Sequence, residues 1–175
     1  MLLRLPSGAS AALILAALAG CDLPQRYGAA QDVHAFLKAV QANDRAAFEA
    51  HIDRPALRAQ LRESMASAAA GAGVEGPAVA ALLQGKAGDA LADRLIRPDS
   101  FRIAWDRTGL PSGHTPSAAE ITPMLRITGP GRACLHGLKR PARCLLSFRD
   151  EAGTWKLTGV EGRTVAVAGG DGGVI

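Results

Sequence analysis

The spacing of apolar residues changes near the middle of the chain, and this change limits the folds available to it. Before Pro98, apolar residues recur every three to four positions, as they do on one face of a helix. After Pro123, short segments with alternating apolar and polar residues predict strands separated by turns. This order predicts an α+β domain, with N-terminal helices packed on a C-terminal antiparallel sheet of about four strands.

The first half is predicted to form a series of helices with recognisable starts. The first helix begins near Gln31, and Asp44 and Asp53 precede the next two as N-cap residues. Pro55 and Pro77 fall in a first helical turn, where proline's missing N–H is tolerated. The apolar positions expected to face the core are Val33, Phe36, Leu37, Val40, Phe48, Ile52, Leu57, Leu61, Met65, Val79, Leu82, Leu83, Ala90, Leu91, Leu95 and Ile96.

Polar positions on these helices are interpreted as structural. Asp53 is expected to cap its helix, which contributes about 1 kcal/mol, rather than to bind a ligand. Arg58 and Arg62, with Glu63 beside them, are expected to form a solvated helix surface. Residues 68–73 are rich in alanine and glycine and are predicted to be a linker or surface loop.

Four strands are predicted after a long exposed loop between Asp106 and Pro123. They cover residues 124–128, 132–136, 144–148 and 154–160, with a hairpin turn at 150–153. Trp155 is expected to anchor the last strand in the core rather than to stack on a ligand. A short strand at Val165 and Val167 and a flexible glycine-rich end are predicted within residues 163–175.

The N-terminus has the features of a secretory signal. Arg4 precedes an apolar run from Ala9 to Ala19, which is too short for a helix that spans a bilayer. The sequence Leu18-Ala19-Gly20-Cys21 resembles the lipobox of bacterial lipoprotein precursors. The resemblance implies cleavage before Cys21, a diacylglyceryl thioether on its sulfur and an acyl chain on its amine. An ordinary cleaved signal peptide is the alternative.

Lipidation at Cys21 predicts both the organisation and the location of the chain. Residues 1–20 are then a signal peptide, 21–30 a lipid-anchored tether, 31–162 the α+β domain and 163–175 a tail. In the enteric sorting pattern, Asp22 directly after the lipidated cysteine favours the inner membrane over the outer membrane. We therefore expect a bacterial membrane-anchored lipoprotein that faces the periplasm.

Cys134 and Cys144 are the two cysteines left once Cys21 is assigned to the lipid. In an oxidising compartment we expect them to form a disulfide, whose loop of about 11 residues contributes roughly 3 kcal/mol. Two free thiols are one alternative. A metal site that includes His136 is the other, but it lacks a fourth ligand at a recognisable spacing.

Charge and motifs argue against several functions. Twenty cations balance 16 anions to a net charge of +4, so nucleic acid is not an expected partner. The sequence has no Gly-x-Ser-x-Gly elbow, phosphate-binding loop or His-Glu-x-x-His motif, and its histidines, His34, His51, His114 and His136, are scattered. We therefore expect no catalytic activity, metal or cofactor.

Several segments resemble known families. Residues 36–48 and the sequence Gly153-Thr154-Trp155-Lys156-Leu157 are similar to segments of NTF2-like and cystatin-like domains. Residues 52–58, 95–101 and 148–160 more specifically resemble the bacterial family called domain of unknown function 2939, over about residues 31–161. The latter resemblance implies an α+β fold and no established activity. The acid and tyrosine used by NTF2-like isomerases are not expected here, because the single tyrosine, Tyr27, falls in the tether.

The expected function is binding rather than catalysis. The predicted module would use the concavity between helices and sheet to hold an envelope protein partner or a small apolar ligand. A small periplasmic enzyme is the alternative, and a His–carboxylate pair in a deep pocket would favour it.

Overall fold

The computed structural model describes residues 22–74, 76–107, 114–137 and 140–160. Cys21, the predicted signal peptide and the predicted tail 163–175 lie outside the described residues. The helices are α1 (Asp22–Ala42), α2 (Arg45–Ala50), α3 (Arg54–Gly71), α4 (Pro77–Gln84), α5 (Lys86–Leu95), α6 (Pro98–Arg107) and α7 (Ala118–Ile121), and a 3-10 turn (Thr122–Met124) follows α7. In the described part, no helix has the length and apolar content that crossing a membrane requires.

The sheet follows the helices, which confirms the predicted α+β class. Its antiparallel strands are β1 (Leu125–Gly129), β2 (Arg132–Gly137), β3 (Arg140–Glu151) and β4 (Thr154–Val160), and each strand pairs with the next in the sequence. The hairpin between β3 and β4 turns at Ala152 and Gly153, which both have positive φ angles. Such a turn matches the right-handed twist of the two strands that it joins.

Helix α1 begins nine residues earlier than the sequence predicts, so most of the predicted tether is helical. Pro24 falls in its first turn, where proline costs no hydrogen bond. Gly28, Ala29 and Ala30 are small enough to pack closely, and both alanines are fully buried. A Cβ atom at Gly28 would lie 3.9 Å from Nε1 of Trp155. Packing against the sheet therefore overrides the low helix propensity of proline and glycine here.

Other helix boundaries also differ from the predictions. Helix α3 continues through the alanines of the predicted linker, in agreement with the high helix propensity of alanine. Helices α6 and α7 begin and end in regions for which no helix is predicted. Helix α7 starts with a capping box, in which Ser117 and Glu120 each bond the other's backbone N–H, and Ile121 is buried. That Ser-x-x-Glu spacing is a helix-start signal that the sequence analysis missed.

Four phenylalanines connect the helices to the sheet. Phe36 of α1 lies 5.6 Å from Phe48, 5.8 Å from Phe101 and 6.2 Å from Phe148 of β3, measured between ring centroids. Trp155 is buried on the same side of the sheet, as predicted. Helix α4 contributes no buried residue, and Leu82, predicted to face the core, is 61 % exposed.

The outer edge of β4 is closed by hydrogen bonds from the helical half. The segment between α2 and α3 pairs with Leu157: the Leu157 N–H donates to the His51 carbonyl, and the Asp53 N–H donates to the Leu157 carbonyl. The Gln60 side chain bonds both backbone groups of Val160. These contacts satisfy strand-edge groups that are otherwise open to pairing with another chain.

The predicted N-caps are confirmed, but the predicted solvated surface of α3 is wrong. Asp44 and Asp53 accept from backbone N–H groups at the starts of α2 and α3. Arg58 instead contacts Asp93 of α5, with Nε–Oδ1 and Nη2–Oδ2 distances of 2.7 and 2.6 Å. Arg54 also donates to Asp93 and to Glu49, and Arg62 lies 3.5 Å from Asp89. This face of α3 is therefore an ion-paired contact with α5.

Neutralising Asp93 is expected to weaken the contact between α3 and α5. The hydrogen bond from Arg58, followed by that from Arg54, lowers the pKa of Asp93 below its ordinary value. We expect Asp93→Asn to lower the free energy of unfolding by about 1 to 2 kcal/mol at neutral pH. The native state favours the carboxylate, so this contribution is present above the unfolded pKa and is lost as pH falls through the folded pKa.

Urea unfolding from neutral pH to below about pH 4 provides the measurement. The difference in the free energy of unfolding between Asp93→Asn and the original protein should become smaller at the lowest pH values. Asp99→Asn is the control, because Asp99 is 54 % exposed and lies 3.7 Å from Arg102 within one helix. An equal decrease in the free energy of unfolding in both variants would contradict a specific role for Asp93.

Candidate functional site

The sheet has a polar face that points away from the helices. Its residues alternate with the buried positions Leu125, Leu135, Phe148 and Leu157. They line a shallow depression of about 560 Å³, within the size range of small-molecule sites. We call this surface the outer face, and it carries Arg126, Thr128, Arg132, Cys134, His136, Cys144, Ser147, Arg149, Lys156 and Thr158.

A row of cations crosses the outer face from strand to strand. Arg132 of β2 is the register partner of Arg149 of β3, which is in turn the partner of Lys156 of β4. Directly opposed residues lie about 5 Å apart in a sheet, and like charges at this spacing are destabilising. We call these three residues the cationic row.

The two ends of the cationic row differ in their counter-charges. At the β4 end, Lys156 lies 2.9 Å from Glu151, and Arg149 lies 2.6 Å from Asp53. At the β2 end, the exposed Arg132 has no ion-pair partner among the described residues, and neither has the exposed Arg126 on β1. The outer face therefore has an excess of positive charge, which is concentrated on β1 and β2.

A disulfide lies on the same face. Cys134 of β2 and Cys144 of β3 are bonded, with Cα atoms 5.5 Å apart, as the sequence predicts. The bonded sulfurs are not available as thiolate ligands, and the described residues contain no group of three or more side chains suited to hold a metal. Nδ1 of His136 lies 3.1 Å from the Arg143 carbonyl, so this nitrogen donates. The bridge ties β2 to β3 next to the cations.

The residue types on the outer face are suited to recognising anions. A guanidinium presents a planar set of donors that matches a carboxylate or a phosphate, and hydroxyl groups add further donors. The Thr158 hydroxyl donates to the Ser147 carbonyl at 3.2 Å, which fixes its position in the depression.

A small cavity lies between helices and sheet within the part of the chain that the structure describes. A cavity of about 30 Å³ lies among α3, α5, α6 and β4, bordered by Leu57, Gln60, Leu61, Leu95, Ile96, Ser100, Phe101 and Val160. That volume holds about two water molecules, well below what a small apolar ligand needs. Binding between helices and sheet, which the sequence analysis expects, stays a prediction.

Two His–carboxylate pairs lie among the described residues. Nε2 of the exposed His114 lies 3.5 Å from Oε2 of Glu120, whereas the second pair ties helices to the sheet. Nδ1 of His51 lies 3.8 Å from Oδ1 of Asp32, and Oδ2 of Asp32 accepts from the Trp155 N–H at 2.8 Å. The pair does not border either of the two spaces described above. Asp53, predicted as a cap, has a second role, since it also binds Arg149 of the cationic row.

Sequence reasoning did not identify the outer face. Cys134 and Cys144 lie on it, but Arg126, Arg132 and Arg149 were not singled out. Their signal was present in the alternation: Arg126 and Thr128, then Arg132 and Cys134, occupy every second position of β1 and β2. The strand register that places Arg132 opposite Arg149 required the structure.

A family comparison covers the helical part of the chain. Residues 26–103 match the family model described as a protein of unknown function (DUF2939). Over these residues the chain is similar to that family, which supports the resemblance to DUF2939 that the sequence indicates. The DUF2939 match ends within α6, so it does not include the outer face or the residues up to 161 that the sequence resemblance also covered. Searches of curated proteins and of solved structures give no significant match.

Removing the disulfide is expected to destabilise the protein. The bridge closes a loop between residues ten apart, so replacing Cys134 and Cys144 by serine should cost about 3 kcal/mol of unfolding free energy. Urea unfolding of the double variant, with and without a reductant, measures this cost. A reductant should lower the stability of the original protein and leave that of the variant unchanged. Equal stability of the two proteins without reductant would contradict the prediction.

Proposed function

We propose that the protein is a lipid-anchored, non-catalytic binding module of the bacterial cell envelope. The anchor would be Cys21, the last residue of the lipobox-like sequence, and the binding surface would be the outer face of the sheet. The observation that supports the binding role most strongly is the cationic row, because the counter-charges on the described residues balance only part of it and the excess positive charge favours an anionic partner.

The location rests on the sequence. The apolar run and the tetrapeptide before Cys21 are typical of a lipoprotein precursor. Two or three acyl chains would hold the protein at a membrane essentially permanently, since each buried CH₂ contributes about 0.8 kcal/mol. The disulfide supports an oxidising compartment such as the periplasm. Asp22 would favour the inner membrane where the enteric sorting pattern applies.

A binding role also agrees with the packing of the domain. The cavity between helices and sheet is apolar and holds about two waters, whereas the depression on the outer face is polar and about 560 Å³ in volume. The partner would therefore meet the sheet from outside, rather than enter between the two layers.

Mass spectrometry of the protein from its native membrane tests the anchor. We expect the N-terminal residue to be Cys21, with a mass increase from a diacylglyceryl group and an amide-linked acyl chain. In Cys21→Ser, which has no thiol to acylate, this modification should be absent and the cleaved form should not accumulate. Gly20→Ala is the matched control, because a second small residue before the cysteine should leave processing intact. An unmodified Cys21 in the mature native protein would overturn the lipid anchor.

A further inference from the structure

We propose that the outer face binds the anionic headgroups of the membrane to which Cys21 anchors the protein. This inference rests on the proposed function and adds the chemistry of the partner, a surface of negatively charged phospholipids. It also assigns an orientation, in which the outer face lies against the headgroups and the cationic row crosses it at the end of the sheet beside α1.

Charge complementarity is the first argument. Each strand supplies one cation to the outer face: Arg126 from β1, Arg132 from β2, Arg149 from β3 and Lys156 from β4. Asp53 and Glu151 balance only the β3 and β4 members. Cations spread over the width of a sheet match a planar array of anions better than a single point charge. An anion between Arg132 and Arg149 would also offset the repulsion of this opposed pair.

The position of the anchor is the second argument. Gly28 of α1 lies next to Trp155, and Asp32 of α1 binds the Trp155 N–H, so this part of α1 lies beside the start of β4. Lys156, the end of the cationic row, is the residue after Trp155. Because α1 begins at Asp22, six residues before Gly28, the start of the helix lies about 9 Å along its axis from this contact.

The first turns of α1 provide the third argument. Leu23 is 64 % exposed and Tyr27 is 52 % exposed, although both have large apolar surfaces. They are four residues apart and therefore share one side of the helix. Tyrosine is enriched where apolar lipid meets water, since its ring is apolar and its hydroxyl is polar. These residues precede the part of α1 beside the cationic row, which places an interfacial contact next to the charged one.

The β1–β2 hairpin lies at this end of the sheet as well. The Asp150 N–H donates to the Gly131 carbonyl at 2.9 Å, which brings the turn before Arg132 against β3 near its own hairpin. Arg132, Arg149 and Lys156 therefore all lie within three residues of these two chain reversals. Attachment through Cys21 would hold the protein at the membrane, so the effective concentration of headgroups around these cations would be high.

Vesicle binding of the full chain with Cys21→Ser tests the inference, because this variant carries no acyl anchor. The probes are vesicles of phosphatidylcholine, with and without phosphatidylglycerol. The apolar N-terminal segment contributes to binding of both kinds of vesicle, so the increase caused by phosphatidylglycerol isolates the charged contact. We expect that increase to fall by about 30-fold in Arg126→Gln/Arg132→Gln, which is roughly fivefold for each cation. Binding to phosphatidylcholine alone should not change.

The matched control is Arg45→Gln/Arg97→Gln, which removes the same charge from exposed positions outside the outer face. Arg45 follows the far end of α1, some 20 Å along the helix from Gly28. In the control variant, the increase in binding caused by phosphatidylglycerol should fall less than about threefold. Added salt should remove the phosphatidylglycerol effect in the original chain and in the control.

Three results would overturn the inference. The first is an equal loss, in both double variants, of the increase in binding caused by phosphatidylglycerol. The second is that vesicle binding of the original chain does not depend on phosphatidylglycerol. The third is that soluble glycerol phosphate, at equal phosphate concentration, displaces the protein from the vesicles. The last result would indicate a discrete phosphate ligand instead of a membrane surface. If the vesicle experiment gave one of these results while the native protein was acylated at Cys21, the proposed anchor would stand and the headgroup contact would not. Selective vesicle binding together with an unmodified native Cys21 would instead contradict the anchor alone.

Discussion

The fold depends on the contact among its four phenylalanines. The chain is rich in small residues, and only 4 % of its residues are aromatic. Phe36 and Phe48 come from the first two helices, Phe101 from α6 and Phe148 from β3, so their rings connect distant parts of the sequence. Ring pairs of this kind contribute beyond their buried area. Buried aliphatic side chains such as Leu135 and Leu157 belong to the same core, and small residues allow α1 to approach the sheet closely at Ala29 and Ala30.

Local signals in the sequence predicted much of the fold. Asp44 and Asp53 act as caps, Pro55 and Pro77 lie in first helical turns, and the alternation around Trp155 predicted β4 correctly. These features depend on neighbours within a few residues. The early start of α1 was not predicted, because Pro24 and Gly28 both have low helix propensity. Pro24 is tolerated because it lies in the first turn, and Gly28 because it packs next to Trp155.

The candidate site was harder to predict, because it depends on register between strands. The disulfide followed from cysteine number and spacing, and it is present. The cationic row joins Arg132, Arg149 and Lys156, and no local pattern aligns residues that far apart. The same holds for the pairing of Arg58 with Asp93, which replaces the solvated surface expected for α3. A charged side chain that the sequence predicts to be solvated can form an ion pair in the folded protein.

The closed edge of β4 has a consequence for self-association. His51, Asp53 and Gln60 occupy its backbone groups, whereas among the described residues no hydrogen bond beyond the one from the Leu125 N–H to the Thr122 carbonyl engages the outer edge of β1. Within the part of the chain that the structure describes, another strand can therefore join this sheet on one side only. Two copies that meet through β1 would each use their single open edge, and the pair would have none left for a third copy. Growth into a continuous fibre needs two open edges on every molecule, so this sheet is protected against it.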